Sequence, residues 1–283
     1  MDAQLEQIRE QQKATWNKFS PGWKKWDSFN MAFLQPMGNA IIDYLQIKSG
    51  DHILDIATGT GEPGLTIATL ASSGKVTGTD LSEDMLSNAA ANAVARGIKN
   101  YETIVADVCE LPFADNSFDA ISCRMGFMFF PDMELAAREM FRVLKPGGRM
   151  ATSVWGTADQ NFWIRTILDV LNKNMDMPKP PPGAPGMFRC GKPGLMTEIL
   201  AQAGFKNISQ QELTGQIEYG SVDKYWQNMM EVAAPVVGAM SRADESTRAT
   251  IKKEVYEALA PKAGPGTLAL DWAAIVLYGE KGA

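Results

Sequence analysis

Ile53-Leu54-Asp55-Ile56-Ala57-Thr58-Gly59-Thr60-Gly61 decides how this chain folds. An apolar run ends in an acid and turns through glycines, the pattern of a short buried strand passing into a tight loop and then a helix. A second such run, Val76-Thr77-Gly78-Thr79-Asp80, follows and also ends in an acid. The spacing Gly59-x-Gly61-x-x-Gly64 satisfies the dinucleotide fingerprint, so an adenosine-containing ligand is expected at the loop. Without Cβ atoms the glycines let the backbone turn sharply and approach whichever ligand that is.

Charge separates the alternatives. Asp55 stands before Gly59 at the mouth of the loop, where a dinucleotide would lay its pyrophosphate. A carboxylate about 4 Å from a phosphate is repelled by roughly 4 kcal/mol per charge pair at an effective dielectric near 20. Beside the ammonium of a methionine tail and a neighbouring sulfonium, the same charge attracts. The expected cofactor is therefore S-adenosyl-L-methionine, with Asp55 meeting the ammonium, and a nicotinamide-dependent dehydrogenase is disfavoured. The structural alternative is a buried Asp that caps the next helix.

Outward from this loop, residues 36–155 alternate strand and helix signals, which predicts an α/β fold with a mostly parallel sheet flanked by helices. Strands are expected at His52–Ala57, Val76–Asp80, Tyr101–Ala106, Phe118–Cys123 and Arg149–Trp155. Helices follow the glycine loop, then Ser82 as N-cap with Glu83 and Asp84 at the positive end of the dipole, then Met133–Leu144, stopped by Lys145-Pro146-Gly147-Gly148. This order puts Asp55, Asp80, Asp107 and Arg124 at or just past the carboxyl ends of parallel strands, where open α/β sheets bind ligands.

The flanks read differently. Residues 1–35, with Leu5, Ile8, Trp16 and Phe19 near helical spacing, are expected to form a helical lid over a cofactor-binding core at 36–155. A cap or rim insertion covers 156–192, including a stiff Pro-rich stretch at 178–186. A core helix and strand cover 193–220, a helical cap insertion 221–265, and a final core strand 266–283.

Composition narrows the function. The formal net charge of -6 and the lack of a long basic run argue against nucleic acid as partner. Met1 to Gln12 is polar and charged, unlike a signal peptide, and no apolar stretch approaches a membrane span. A cytoplasmic location and a small-molecule substrate are expected, as monomer or homodimer. Cys109, Cys123 and Cys190 are widely spaced and odd in number, which suits a reducing compartment and spells neither a disulfide framework nor a metal site. Cys190 reads as a plain loop cysteine or a reactive thiol.

Taken together, several segments resemble the class I S-adenosylmethionine-dependent methyltransferases, in particular the ubiquinone/menaquinone-biosynthesis C-methyltransferase group. They are Ile53-Leu54-Asp55 with Gly59-Thr60-Gly61, then Gly78-Thr79-Asp80-Leu81-Ser82-Glu83-Asp84-Met85-Leu86, Ala106-Asp107, Leu111-Pro112-Phe113, Ser117-Phe118-Asp119 and Arg142-Val143-Leu144-Lys145-Pro146-Gly147-Gly148-Arg149. The resemblance covers about residues 40–155 and implies a Rossmann-like fold with helical cap elements. It also implies Asp55, Ala57, Thr58 and the Gly59 and Gly61 backbone near the methionine portion, and Asp80 accepting from both ribose hydroxyls. Leu81 and Met85 would sandwich the adenine, and Asp107 would accept from its exocyclic amine beside Ala106 and Val108. Ala57-Thr58 departs from the Gly-Cys or Gly-Ser frequent in relatives.

The expected reaction is methyl transfer to carbon or oxygen of an aromatic, quinol or polyketide-like acceptor. N-methylation of a small amine, and a cofactor-binding cyclase or non-transferring homologue, stay open. The enzyme's task is to align the acceptor and exclude water. Aromatic faces suit a sulfonium, and Trp16, Trp23, Trp26, Phe127, Trp155, Tyr219 and Trp226 are pocket candidates. The sole histidine, His52, begins the first strand at the amino end of the sheet, away from the ligand edge. If a base is needed, Asp27, Asp132, Tyr219 and Tyr44 are candidates. Arg124 is suited either to orienting an anionic or carbonyl oxygen or to pairing with an acid.

Overall fold

The structure, a computed structural model, describes residues 3–177 and 183–282. Part of the Pro-rich stretch, 178–182, lies outside the described residues.

Five strands form the parallel part of one sheet: β1 (His52–Ile56), β2 (Lys75–Asp80), β3 (Tyr101–Val105), β4 (Phe118–Arg124) and β5 (Leu144–Trp155). Three more complete it: β6 (Lys206–Glu218), the two-residue β7 (Ala263–Gly264) and β8 (Thr267–Glu280). The order is β3-β2-β1-β4-β5-β8-β6, with β8 antiparallel to both neighbours and β7 paired to β8. Chain order reverses between β1 and β4, the topological switch point where α/β sheets open a crevice at the carboxyl strand ends.

Period-two alternation sorts side chains to the two faces. Ile53, Ala120 and Ala151 join Ile41, Ile67 and Val76 in one cluster, while Leu54, Ile121 and Met150 join Met140, Leu171 and Leu200 in the other. Strands covered on both sides read as nearly unbroken apolar runs, which is why β1 and β4 stand out in the sequence.

Helices cover these faces. They are α1 (Ala3–Lys25), α2 (Asp27–Leu45), α3 (Gly64–Leu70), α4 (Glu83–Ala95) and α5 (Met133–Val143), then α6 (Phe162–Asn174), α7 (Leu195–Ala203), α8 (Val222–Val232), α9 (Ala234–Arg242) and α10 (Glu245–Leu259). Ser82 caps α4 as expected, accepting from the Met85 amide at 3.0 Å. α7 stops at Gly204, whose φ of 110° closes the helix.

Three boundaries differ from expectation. The division between 35 and 36 falls inside α2, which runs through Pro36. A proline inside a helix costs about 3 kcal/mol. Leu34, Met37, Ile41 and Leu45 are at most 5% exposed, and each buried apolar side chain returns about 1.5–3 kcal/mol. The stripe outweighs the proline. Lys145-Pro146-Gly147-Gly148 ends α5 but belongs to β5, because Leu144 already pairs with Phe118. The ladder then jumps to Ala120 opposite Arg149, so the Pro-Gly-Gly turn is an irregularity within the strand. Finally, the helical cap insertion expected at 221–265 resolves into three helices, divided at Pro235 in the first turn of α9 and at Asp244, which caps α10 by accepting from the Thr247 amide, and its last residues reach β7.

Candidate active site

One cavity of about 390 Å³ opens over the carboxyl ends of β1, β2, β4 and β5, within the range of small-molecule sites. Its floor is the loop after β1: Ala57, Thr58, Gly59 and Thr60 all line it. Ala57 has φ 52° and Met125, just past β4, φ 59°. Left-handed backbone at non-glycine residues is costly and clusters at functional sites. Gly59 has φ 57°, and nothing lies within 4 Å of where a Cβ would stand. Its amide donates to Asp80 Oδ2 at 3.1 Å, tying the β1 loop to the end of β2.

Asp55 does not reach the cavity. It is fully buried, accepting at Oδ2 from Thr58 Oγ1 (2.5 Å) and the Gly64 amide (3.1 Å), and at Oδ1 from Ser122 Oγ (2.6 Å). A Cβ on Gly64 would stand 2.6 Å from Asp55 Oδ2, so the start of α3 presses onto this carboxylate. Burial pushes Asp55 up to about 6 despite these donors and the nearby Arg124. The acid expected at an ammonium instead holds the loop from beneath.

Asp80 does line the cavity, accepting also from the Ser82 amide at 3.0 Å. Each carboxylate oxygen has further acceptor capacity for a ligand hydroxyl. Burial raises its pKa, opposed by the Ser82, Gly59 and Leu81 amides. Leu81, Met85, Ala106 and Val108 line the same end, whereas Asp107 lies behind it. Asp107 accepts from the Cys109 amide at one oxygen, while its buried Oδ2 has no hydrogen-bond partner among the described residues and lies 4.0 Å from Arg9.

Arg124, at the end of β4, lines the cavity. It donates to Leu34 O at 3.4 Å and lies 3.0 Å from Met31 Sδ, with no carboxylate within salt-bridge distance among the described residues. Desolvation lowers its pKa, countered by Glu62, Asp55 and Asp27. Of the readings open for Arg124, pairing with an acid is not what the structure shows.

α1 closes the cavity from above with Gln12, Thr15, Trp16 and Trp23. It is seated by Ser82 Oγ donating to Asn17 (2.6 Å), Asn88 donating to Ser20 (2.8 Å) and Lys13 paired with Glu83 (3.0 Å). Aromatic side chains, Phe129, Trp155, Trp163 and Tyr219, line the same cavity as Arg124 and form an aromatic chamber.

Several residues singled out from the sequence lie elsewhere. Gly61, Trp26, Phe127 and Trp226 do not line the cavity. Trp26 Nε1 donates to Glu231 at 2.8 Å, Phe127 is core against Phe130, and Trp226 packs on Tyr256. Asp27 accepts from Thr60, and Asp132 caps α5, each occupied in structure. Tyr44 stacks on Tyr278, and His52 packs on Phe118 at the amino end of β1. Cys190 is 1% exposed, and burial pushes its thiol up to about 12, so it is an inert thiol rather than a nucleophile. Sequence reasoning missed Asn30, Met31, Phe33, Asn228 and Met229, all of which line the cavity. The signal for the asparagines was there: Asn30 sits four residues before Leu34 in the buried stripe of α2, and Asn228 sits between Tyr225 and Met229 in that of α8.

A family model described as a methyltransferase domain matches residues 47–218. The chain belongs to this methyltransferase-domain family. The demethylmenaquinone methyltransferase of Thermus thermophilus is 41% identical over 109 residues, 38% of this chain and 49% of that protein. The ubiquinone/menaquinone biosynthesis C-methyltransferase of Bdellovibrio bacteriovorus is 37% identical over 136 residues, 45% of this chain and 57% of that protein. The chain thus spans about half the length of the curated relatives it matches. Among solved structures, the YcgJ protein from Bacillus subtilis superposes with a TM-score of 0.61 at 20% identity, covering 88% of this chain and 99% of that one, a likeness of fold. S-adenosylmethionine is the cofactor of such domains, and a cavity lined by the Asp80 carboxylate and by the Arg124 guanidinium, which has no carboxylate within salt-bridge distance among the described residues, fits its mixed charge. Among the described residues, no helix is long and apolar enough to cross a membrane.

Proposed function

We propose that this chain transfers a methyl group from S-adenosylmethionine to a carbon or oxygen atom of a small apolar acceptor. The observation that carries this is the continuity of the cavity, from Asp80 and Ala106 at one end, past Arg124, into the aromatic chamber of Trp155, Trp163 and Tyr219. Asp80 would take the ribose hydroxyls, Leu81 and Met85 the adenine, and Arg124 the methionine carboxylate. When bound, the cofactor supplies a methyl group already activated by its sulfonium. The protein's part is alignment and exclusion of water, effects worth up to roughly 7–11 kcal/mol.

Among the residues lining the chamber none is a ready base. Burial raises the Tyr219 hydroxyl well above its usual range, so it stays protonated. An acceptor that ionises by itself, a phenol or an enolised quinol, fits such a chamber. The names of two relatives, demethylmenaquinone and ubiquinone/menaquinone biosynthesis methyltransferases, support the quinol class. Incubation with methyl-labelled cofactor and a panel of quinols, naphthols and small amines tests this. Label on carbon or oxygen of a phenolic acceptor is expected; label on nitrogen alone, or on nothing while the cofactor binds, contradicts it.

A further inference from the structure

The cavity has a polar feature for which the roles proposed above leave no use. Four groups on cavity-lining residues have no hydrogen-bond partner among the described residues: Trp23 Nε1, Asn30 Nδ2, Tyr219 Oη and Asn228 Nδ2. Asn30 is 4% exposed, Asn228 3% and Tyr219 1%. Buried polar groups are ordinarily paired, and each exception calls for a reason.

These residues come from distant parts of the chain, on α1, α2 and α8 and just past β6, and line the same cavity. Gly22 is packed so tightly on α8 that a Cβ there would lie 2.0 Å from Glu231 O. Lys25 and Trp26 both bind the Glu231 carboxylate, at 2.6 and 2.8 Å. The Phe29 ring lies 5.3 Å from that of Tyr219.

All four can donate a hydrogen bond. Indole Nε1 donates and never accepts, so no reassignment of its atoms changes its role. A tyrosine hydroxyl held neutral by burial has a proton to give. The asparagine amides add further N–H groups. The carboxylates lining the cavity are Glu62 and Asp80, both at the glycine-loop end.

We propose that Trp23, Asn30, Tyr219 and Asn228 form an acceptor-oxygen subsite, which selects as methyl acceptor a flat apolar molecule bearing several carbonyl, phenolic or enolate oxygens and discriminates against cationic amines. The proposal rests on reading the cavity as a methyl-transfer site. Trp155, Trp163 and Phe129 supply the walls for the ring, and the subsite turns its oxygens. An ammonium placed there would lose hydration without meeting a carboxylate, since Glu62 and Asp80 stand at the glycine-loop end.

Calorimetric titration of the intact protein tests this, first with S-adenosylhomocysteine and then, at saturation, with 1,3-dihydroxynaphthalene or 1-naphthylmethylammonium. The diol is expected to bind about tenfold or more tightly than the ammonium. Tyr219→Phe, which removes one oxygen and little volume, and Asn228→Leu are each expected to weaken the diol about fivefold to thirtyfold and to leave S-adenosylhomocysteine affinity unchanged. Equal or tighter binding of the ammonium, no binding of the diol, or diol affinity untouched in both variants would overturn the subsite. Failure in the first titration would instead overturn the methyl-transfer reading and the subsite with it, so the two failures are told apart.

Discussion

Asp55 keeps a carboxylate in the driest part of the molecule because Thr58, Ser122 and the Gly64 amide each give it a proton donor. Those donors do not fully replace water, and its pKa of about 6 records the shortfall. An unfolded Asp ionises near pH 4. Between about pH 4 and 6 the folded chain therefore holds more protons than the unfolded one, and stability falls as pH rises through that window, then levels off. The cost at neutral pH is about 3 kcal/mol. Urea unfolding of wild type and Asp55→Asn at pH 4.5 and 7 is expected to show the wild type losing roughly 2 kcal/mol relative to the variant over that interval; a flat or rising difference would contradict the burial account. The sequence showed an acid before a glycine loop, which was enough to separate cofactor classes by charge. It did not show which way the carboxylate turns, since that depends on Ser122, brought alongside only by the β1–β4 pairing.

At the scale of elements, legibility followed local chemistry. β1, β2, α4 and α7 were readable because apolar runs, the Ser82 cap and the Gly204 stop are each written within a few residues. The course of α2 through Pro36 and the strand residues at 144–148 were not, because tertiary burial and pairing with Phe118 overrode local signals. The chamber was the least legible part: α1, α2, α8 and β6 contribute to it from distant positions, and aromatics such as Trp26 and Trp226 look alike in sequence whether they face it or not. The closeness of α1 to α8 can be tested at Gly22. Gly22→Ala drives a methyl group into the backbone of Glu231, a clash of a kind that costs about 1–3 kcal/mol. The expected outcome is faster protease cleavage within α1 and weaker cofactor binding, with the far-UV circular dichroism little changed. A variant as protease-resistant as wild type would mean that α1 does not depend on this contact.

Across the whole molecule, the sheet sets out the binding groups by strand order. β2 brings Asp80 to one side of the cavity, β1 the glycine floor, and β4 the guanidinium of Arg124. A pyrophosphate on this floor would meet the buried charge of Asp55 beneath it and Asp80 beside it, while a sulfonium and an ammonium would be drawn to both. Calorimetric titration of wild type and Asp80→Asn with S-adenosylmethionine and with NADH puts this arrangement to the test. The expected result is one S-adenosylmethionine per chain, weakened about tenfold to a hundredfold in the variant, and no binding of NADH. NADH saturating the cavity while S-adenosylmethionine gives no heat would contradict it.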